Sequence, residues 1–397
     1  MWIRKRIDIR AKDLIYALSY CMTSGSRTAV THKIQMKWDN DSQKSFVCLS
    51  VRTGFDLLFQ ALRFQPGDEI IFSALTIPDM PKIVEAHGLV AVPTDLSPDS
   101  LGPMPDQLEA AITSRTKAIV VAHLFGGIID LDGIVATAKK HGILVIEDCA
   151  QAYCSKSYSG SADADVSMFS FGSIKTATAL GGAVLIVRKN EQLLRKMQEL
   201  QLSYPIQPRS AFFRKTVKYI LIVFLSSHHI YPLIVWLLKK RGIDYDSYIH
   251  TLSRSFPGND FFTRIRQQAS FPLLKLLDYR FETYPFQNID ARIEKGNYLL
   301  RNLSESFRFP GQQAFRQTYW AFPVLTTQTQ RVIAGLRTEG FDATTKNSLL
   351  IVGNNGDEAK KTLQNVQILQ NQIVFLPIYP ELPMEELNKM IRYLRKF

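Results

Sequence analysis

Apolar positions between residues 50 and 200 switch repeatedly between two spacings. Short runs at Glu69-Ile-Ile-Phe72, Leu89-Val-Ala-Val92, Ala118-Ile-Val-Val-Ala122, Ile143-Leu-Val-Ile146, Val166–Phe171 and Ala183–Val187 read as buried strands. Between them the spacing becomes that of amphipathic helices, at 54–64, at 79–87 and from a cap at Asp130 to His141. Pro66-Gly-Asp68 reads as a turn, and Gly88 and Gly142 stand where helices should stop. Strands alternating with helices predict an open, largely parallel α/β sheet, whose ligands gather beyond the carboxyl ends of strands.

From residue 285 the pattern loosens. Helices are expected at 288–303, 331–339 and 384–395, with strand-like segments at 319–324 and 373–380. This suits a smaller α+β domain. The expected division is a basic N-terminal segment over 1–45, a large domain over 46–204, an insertion over 205–284 and the small domain over 285–397. No internal repeat or low-complexity tract interrupts it.

The insertion contains an apolar run from Thr216 to Leu238, near the ~20 residues a spanning helix needs. Lys218, Ser226-Ser-His-His229 and Pro232 break the run into two short pieces. A single span would also place the two halves of one α/β protein in different compartments. Two readings remain: a helical hairpin lying on a membrane, or an apolar lid or dimer contact. Arg209, Arg214 and Lys215 precede the run, and Lys239-Lys-Arg241 follows it.

Composition sharpens this. The 397 residues are 46% hydrophobic and 21% charged, ordinary for a folded protein with a large core. The net charge of +12 is less ordinary. Residues 1–37 hold eight Lys/Arg against Asp8 and Asp13, and residues 205–270 hold ten against three Asp, so two segments carry the excess. An anionic membrane surface at 205–241 suits this better than nucleic acid, which is not expected as a partner. The expected placement is cytoplasmic, with peripheral contact at the inner face of the membrane. Asp8 and Asp13 interrupt the apolar start, so an amphipathic helix is expected there rather than a signal peptide. Cys21, Cys48, Cys149 and Cys154 form no C-x-x-C pair and no metal-ligand spacing, so reduced thiols and no metal centre are expected.

Candidate chemistry lies at two strand ends. Asp148 ends one apolar run, and Lys175 follows another in Phe169-Ser-Phe-Gly-Ser-Ile-Lys175. A lysine amine and a carboxylate converging on one site suit pyridoxal phosphate (PLP). The amine condenses with its aldehyde, and the carboxylate partners its ring nitrogen.

Several ordered stretches carry a family resemblance: Pro66-Gly-Asp-Glu-Ile-Ile71, the segment 108–119 leading to His123-Leu-Phe-Gly126, Glu147-Asp-Cys-Ala-Gln151, the Lys175 stretch, Gly181-Gly-Ala-Val184 and Leu376-Pro-Ile-Tyr-Pro-Glu381. Together they resemble the DegT/StrS sugar aminotransferases, fold-type I PLP enzymes. The resemblance implies an α/β fold with a mostly parallel seven-stranded large domain and a smaller α+β C-terminal domain. It implies transamination from an amino donor such as glutamate to a keto or aldehyde carbon of a nucleotide sugar or membrane-associated precursor, in a homodimer. Lys175 would be the catalytic lysine and Asp148 the ring-nitrogen partner. Gln151 would contact the ring, and Ser170, Ser50, Val51 and Arg52 the phosphate, with Thr76 also at the cofactor.

Three departures stand out. Val51 replaces a family glycine, Ile77 replaces an aromatic that can stack on the ring, and the loop reaching the partner's site has only loose echoes at Gly258-Asn259 and Arg264-Ile265. The resemblance leaves open a regulator that keeps the fold without turnover. It argues against a dehydratase, in which histidine replaces the lysine.

Overall fold

In β2 (Glu69–Ser73), Ile70 and Phe72 pack into one core while Ile71 between them packs into another. β5 (Thr116–Ala122) repeats this, with Ala118 and Val120 on the first face and Ile119 and Val121 on the second. Strands apolar on both faces must be covered on both, which is the condition of a parallel sheet. The computed structural model describes residues 1–246, 248, 260–303, 305–345, 348–353 and 362–397.

The elements run α1 (Ala11–Met22), α2 (Arg27–Gln35), β1 (Gln43–Cys48), α3 (Val51–Leu62), β2, β3 (Leu75–Thr76), α4 (Asp79–Ala86), β4 (Val90–Thr94), α5 (Pro105–Ala111), β5, β6 (Gly127–Ile128), α6 (Asp132–His141), β7 (Leu144–Asp148), β8 (Val166–Ser170), β9 (Ala183–Arg188), α7 (Glu191–Leu202), α8 (Arg209–Leu225) and α9 (Tyr231–Lys240). Seven strands form the main sheet in the order β1-β9-β8-β7-β5-β2-β4. The pairings from β4 through β8 are parallel, while β9 runs antiparallel to β8 and β1. This is the mostly parallel seven-stranded α/β architecture of fold-type I. β1 escaped the sequence reading because Gln43-Lys-Ser45 masks its apolar half.

Two local expectations need correction. The helix expected at 54–64 is α3 and begins at Val51, because Ser50 caps it by accepting from the Thr53 amide at 3.2 Å. The sixth helix has Leu131 at its cap position; Asp130 accepts the Asp132 amide at 3.0 Å from just outside.

Beyond the sheet, strands Phe322–Leu325 and Ile373–Leu376 pair antiparallel. The helices Gln287–Leu303, Thr329–Thr338 and Met384–Leu394 share a core with them. The expected strand at 319–324 starts only at Phe322, since Tyr319 sits at φ 46°. Among the described residues no helix is long and apolar enough to cross a membrane. The apolar run of the insertion instead becomes α8 and α9. α8 packs against α1 and the helix Phe271–Thr283, and Phe212 and Tyr219 join their core.

The N-terminal segment is equally committed. Trp2 exchanges backbone hydrogen bonds with Gly340 and Asp342 at 2.7 and 2.8 Å. Arg4 donates to both oxygens of buried Asp342 at 2.9 Å and also pairs with Asp246. Tyr231 of α9 donates to the same Asp342 at 2.6 Å, and Arg337 to Asp246 at 2.8 Å. In α1, Asp13 accepts from Arg280 at 2.5 Å, with both side chains almost wholly removed from solvent. Removing one member of a buried pair strands the other charge, which costs about 3–5 kcal/mol. Asp13→Ala should lower unfolding stability by about that amount in equilibrium urea titrations; a loss under about 1 kcal/mol would show that Arg280 finds relief elsewhere.

Candidate active site

β7 and β8 are parallel neighbours that end side by side, with Asp148 opposite Met168 in register. Asp148 thus emerges at the carboxyl edge of the sheet, where the loop after Ser170 also begins. That loop is tied down along its length. Phe171 O accepts the amides of Ala179 and Gly181, Gly172 O accepts that of Lys175 at 3.0 Å, and Asp8 accepts that of Ala177 at 3.1 Å. Lys175 is therefore held in place by a carboxylate of the N-terminal segment.

Burial dominates the electrostatics of both groups. It raises the Asp148 carboxyl above the ordinary carboxylate range, against the Ala150 amide and the nearby Lys175 charge. It lowers the Lys175 amine to about 8; Asp148 resists the shift and Arg52 adds to it. An amine at this value has about a tenth of its population uncharged at neutral pH, far more than an ordinary lysine, and that fraction can attack a carbonyl. Its Nζ stands 4.6 Å from the centre of the Trp320 ring.

The other expected residues divide in their placement. Ser50 is buried, and its hydroxyl is used for the α3 cap and for Thr53 Oγ1 at 2.9 Å. The Val51 side chain is buried in the sheet core, so the missing glycine leaves its backbone amide at an open helix N-terminus. Arg52 extends from the same turn, donates to Asp79, and lies near enough to act on Lys175 and Asp148. Ser170 accepts the Gly172 amide at 3.4 Å, one turn of the loop from Lys175. Gln151 accepts the Phe125 amide at 2.8 Å, which fixes the direction of its side chain. Thr76 is buried in β3, paired with Leu350, while Ile77 packs into the α3 core. Gly258 and Asn259 lie outside the described residues. Arg264 and Ile265 sit in the short helix Phe261–Ile265, where Ile265 O accepts from Thr53 Oγ1 at 2.7 Å and so braces the start of α3.

His123 explains part of its own motif. Its Nδ1 accepts the Ile129 amide at 3.1 Å, so its Nε2 carries the proton donated to Glu147 at 2.7 Å. Burial would raise the Glu147 carboxyl, but His123 and Ser167 outweigh it and bring it to about 2. Cys149 also lies close to both, but the His123 and Glu147 atoms are already engaged, so this cluster is read as structural. Gly126, at φ 94°, has a backbone role: a Cβ there would fall 2.5 Å from Trp320 N. The glycine allows the 318–321 segment to cross the sheet edge, with Thr318 N reaching Gly126 O at 2.9 Å.

Four residues at this site were not anticipated. Trp320 faces Lys175. Lys5 enters from the N-terminal segment and stands 2.8 Å from the same ring centre. From α8, Tyr219 lies against Ser173, and Lys215, one turn earlier, is brought down to about 8 by burial beside Lys218 and Arg52. Helical spacing marks Lys215 and Tyr219 as one face, but only the packing of α8 shows that this face meets the site.

Residues 43–213 match the model of the DegT/DnrJ/EryC1/StrS aminotransferase family. Over 149 residues, 37% of this chain, the sequence is 34% identical to a pleiotropic regulatory protein of Geobacillus stearothermophilus, of which the match spans 40%. In structure the chain is similar to ntda of Bacillus subtilis with bound PMP, at a TM-score of 0.69 and 18% identity over 98% of this chain and 82% of that one. It is similar also to the sugar aminotransferase CalS13 of Micromonospora echinospora, at 0.70 and 17% over the whole of both. Residues 43–213, under half of the chain, are thus similar in sequence to that aminotransferase family, and the chain as a whole shares the fold of these solved structures.

Proposed function

We propose that this protein is a PLP-dependent aminotransferase. It takes an amino group from a donor such as glutamate and passes it to a keto or aldehyde carbon of a nucleotide sugar or membrane-associated saccharide or lipid precursor. The observation that carries this is the buried pair of Lys175 and Asp148 at the carboxyl edge of the sheet, each shifted by burial toward its uncharged form.

The residues present fit the cofactor. Lys175 supplies an amine ready for the aldehyde carbon, and Asp148, short of a cationic hydrogen-bond partner, suits a protonated ring nitrogen. The open amides at Val51 and Arg52, the Arg52 guanidinium, Ser50 and Ser170 would hold the phosphate, with Gln151 and Thr76 bordering the ring. When bound, the group supplies an electron sink for a bond breaking at the donor Cα. Lys175 would take up the proton released at the donor's α-carbon and hold it within the pocket for return to the reacting group. Burial excludes water from these transfers. Nitrogen and two electrons pass from donor to acceptor, so the donor leaves as a 2-oxo acid and the acceptor carbonyl as an amine. A homodimer, implied by the resemblance, would complete the site.

The exposed side of the insertion supports a membrane-surface role. Phe213, Val217, Leu221 and Phe224 form one exposed stripe on α8, and Leu233, Trp236 and Leu237 are exposed on α9. Lys218, Lys239, Lys240 and Arg241 lie beside these apolar residues, as an anionic surface would require. The name of the Geobacillus relative favours a second reading, a regulator that keeps the fold without turnover.

Cofactor fixation, turnover and vesicle flotation test these readings. Protein purified with PLP should show a visible absorption band, and borohydride should fix the cofactor to Lys175. The yield should rise with pH through a midpoint near 8, because the uncharged amine is the reacting form. Asp148→Asn should move that midpoint down, since Asp148 is the group that raises it. A colourless protein, or a midpoint near 10.5, would sink the reading. Stoichiometric 2-oxoglutarate from glutamate separates enzyme from regulator. Full-length protein should float with phosphatidylserine vesicles, and Phe213→Glu with Phe224→Glu should abolish flotation; unchanged flotation would remove the hairpin from the membrane.

A further inference from the structure

The floor of the site holds more positive charge than a bound cofactor explains. Lys5 Nζ is buried, has no hydrogen-bond partner among the described residues, and stands over the Trp320 ring that Lys175 also faces. Arg292, buried on the helix Gln287–Leu303, spends its Nε on Thr318 O at 2.7 Å, while its Nη2 has no partner among the described residues. Trp320 Nε1 is a third buried donor without an acceptor among them. The carboxylate whose charge acts on both is Asp8, which already accepts from Tyr284 at 2.6 Å and from the Ala177 amide.

Leaving buried donors unmade costs about 1–3 kcal/mol each, more for charged groups. Lys5 Nζ and Trp320 Nε1 meet at one ring, and the Arg292 charge acts on Lys5, so an anion would complete all three donors. Burial, with Lys175 and Arg292 beside it, pushes the Lys5 amine well below its ordinary range. An arriving anion would relieve that. Two cationic donors and one indole N–H match the few oxygens of a planar carboxylate better than the larger oxygen set of a phosphate.

We propose that Lys5 and Arg292, with Trp320, form the subsite that holds a carboxylate of the amino donor beside Lys175. This rests on the aminotransferase reading and narrows it. The donor is an acid recognised in part by the N-terminal segment of the same chain. Lys5 lies outside the family-matched residues 43–213, so this subsite is an addition to the matched domain.

Calorimetric titration of the full-length, PLP-loaded protein with succinate tests it, with inorganic phosphate as the second arm. Wild-type protein should bind succinate in preference to phosphate. Lys5→Met and Arg292→Met should each weaken succinate about tenfold or more, the order expected for losing one charge-assisted hydrogen bond. Lys5→Arg should recover most of it. The thermal midpoint of Lys5→Met should hold or rise, since an unpaired buried amine is removed; a structural lysine would lower it. Borohydride fixation at Lys175 should persist in Lys5→Met, so failure of the subsite and failure of the cofactor reading give different results. Succinate binding unchanged within about twofold in Lys5→Met, no succinate binding by wild type, or tighter binding of phosphate would each overturn the proposal.

Discussion

A carboxyl and an amine share one dry pocket at the carboxyl edge of a parallel sheet, and the surroundings are arranged around that cost. Burial opposes the charged form of both Asp148 and Lys175, and their mutual attraction only partly offsets it. Burial therefore shifts both groups toward their uncharged forms, and the uncharged amine is the form that attacks a carbonyl. Keeping it so demands rigid neighbours. β7 and β8 fix the carboxyl end by register. Phe171 O and Asp8 fix the lysine loop. Gly126 admits the chain segment that lays Trp320 against it.

The two basic segments behave differently in space than their charge suggests. Arg4 is spent inside the protein on Asp246 and Asp342. Lys5 faces the site rather than a surface. α8 is amphipathic in a double sense: Phe212 and Tyr219 belong to the core, and the stripe from Phe213 to Phe224 does not. One helix thus roofs the site and presents an apolar exterior, so lid and surface contact are not competing descriptions of it.

Most of the large sheet was legible because period-2 strands buried on both faces leave short unbroken apolar runs, and because glycines mark their ends. β1 was illegible for the opposite reason, since its first residues are polar. Lys175 and Asp148 were legible because each follows such a run. Lys5 and Trp320 were not, because each meets the site through contacts between residues hundreds of positions apart, and no local spacing encodes them. The α3 start was misplaced because Val51 reads as apolar filler, whereas Ser50 and Thr53 make the cap. Hydropathy and flanking charge in the insertion record how apolar and how basic a helix is, not which side its neighbours occupy.

The Arg4 cluster carries a consequence for how the protein comes into being. Its partners are 242 and 338 residues away. A ribosome must finish Asp342 before Arg4 can dock, and Lys5 is the next residue in line. The main sheet, whose last strand ends at Arg188, can pair on the nascent chain long before that, whereas the lysine loop gains its Asp8 contact only with the same N-terminal segment.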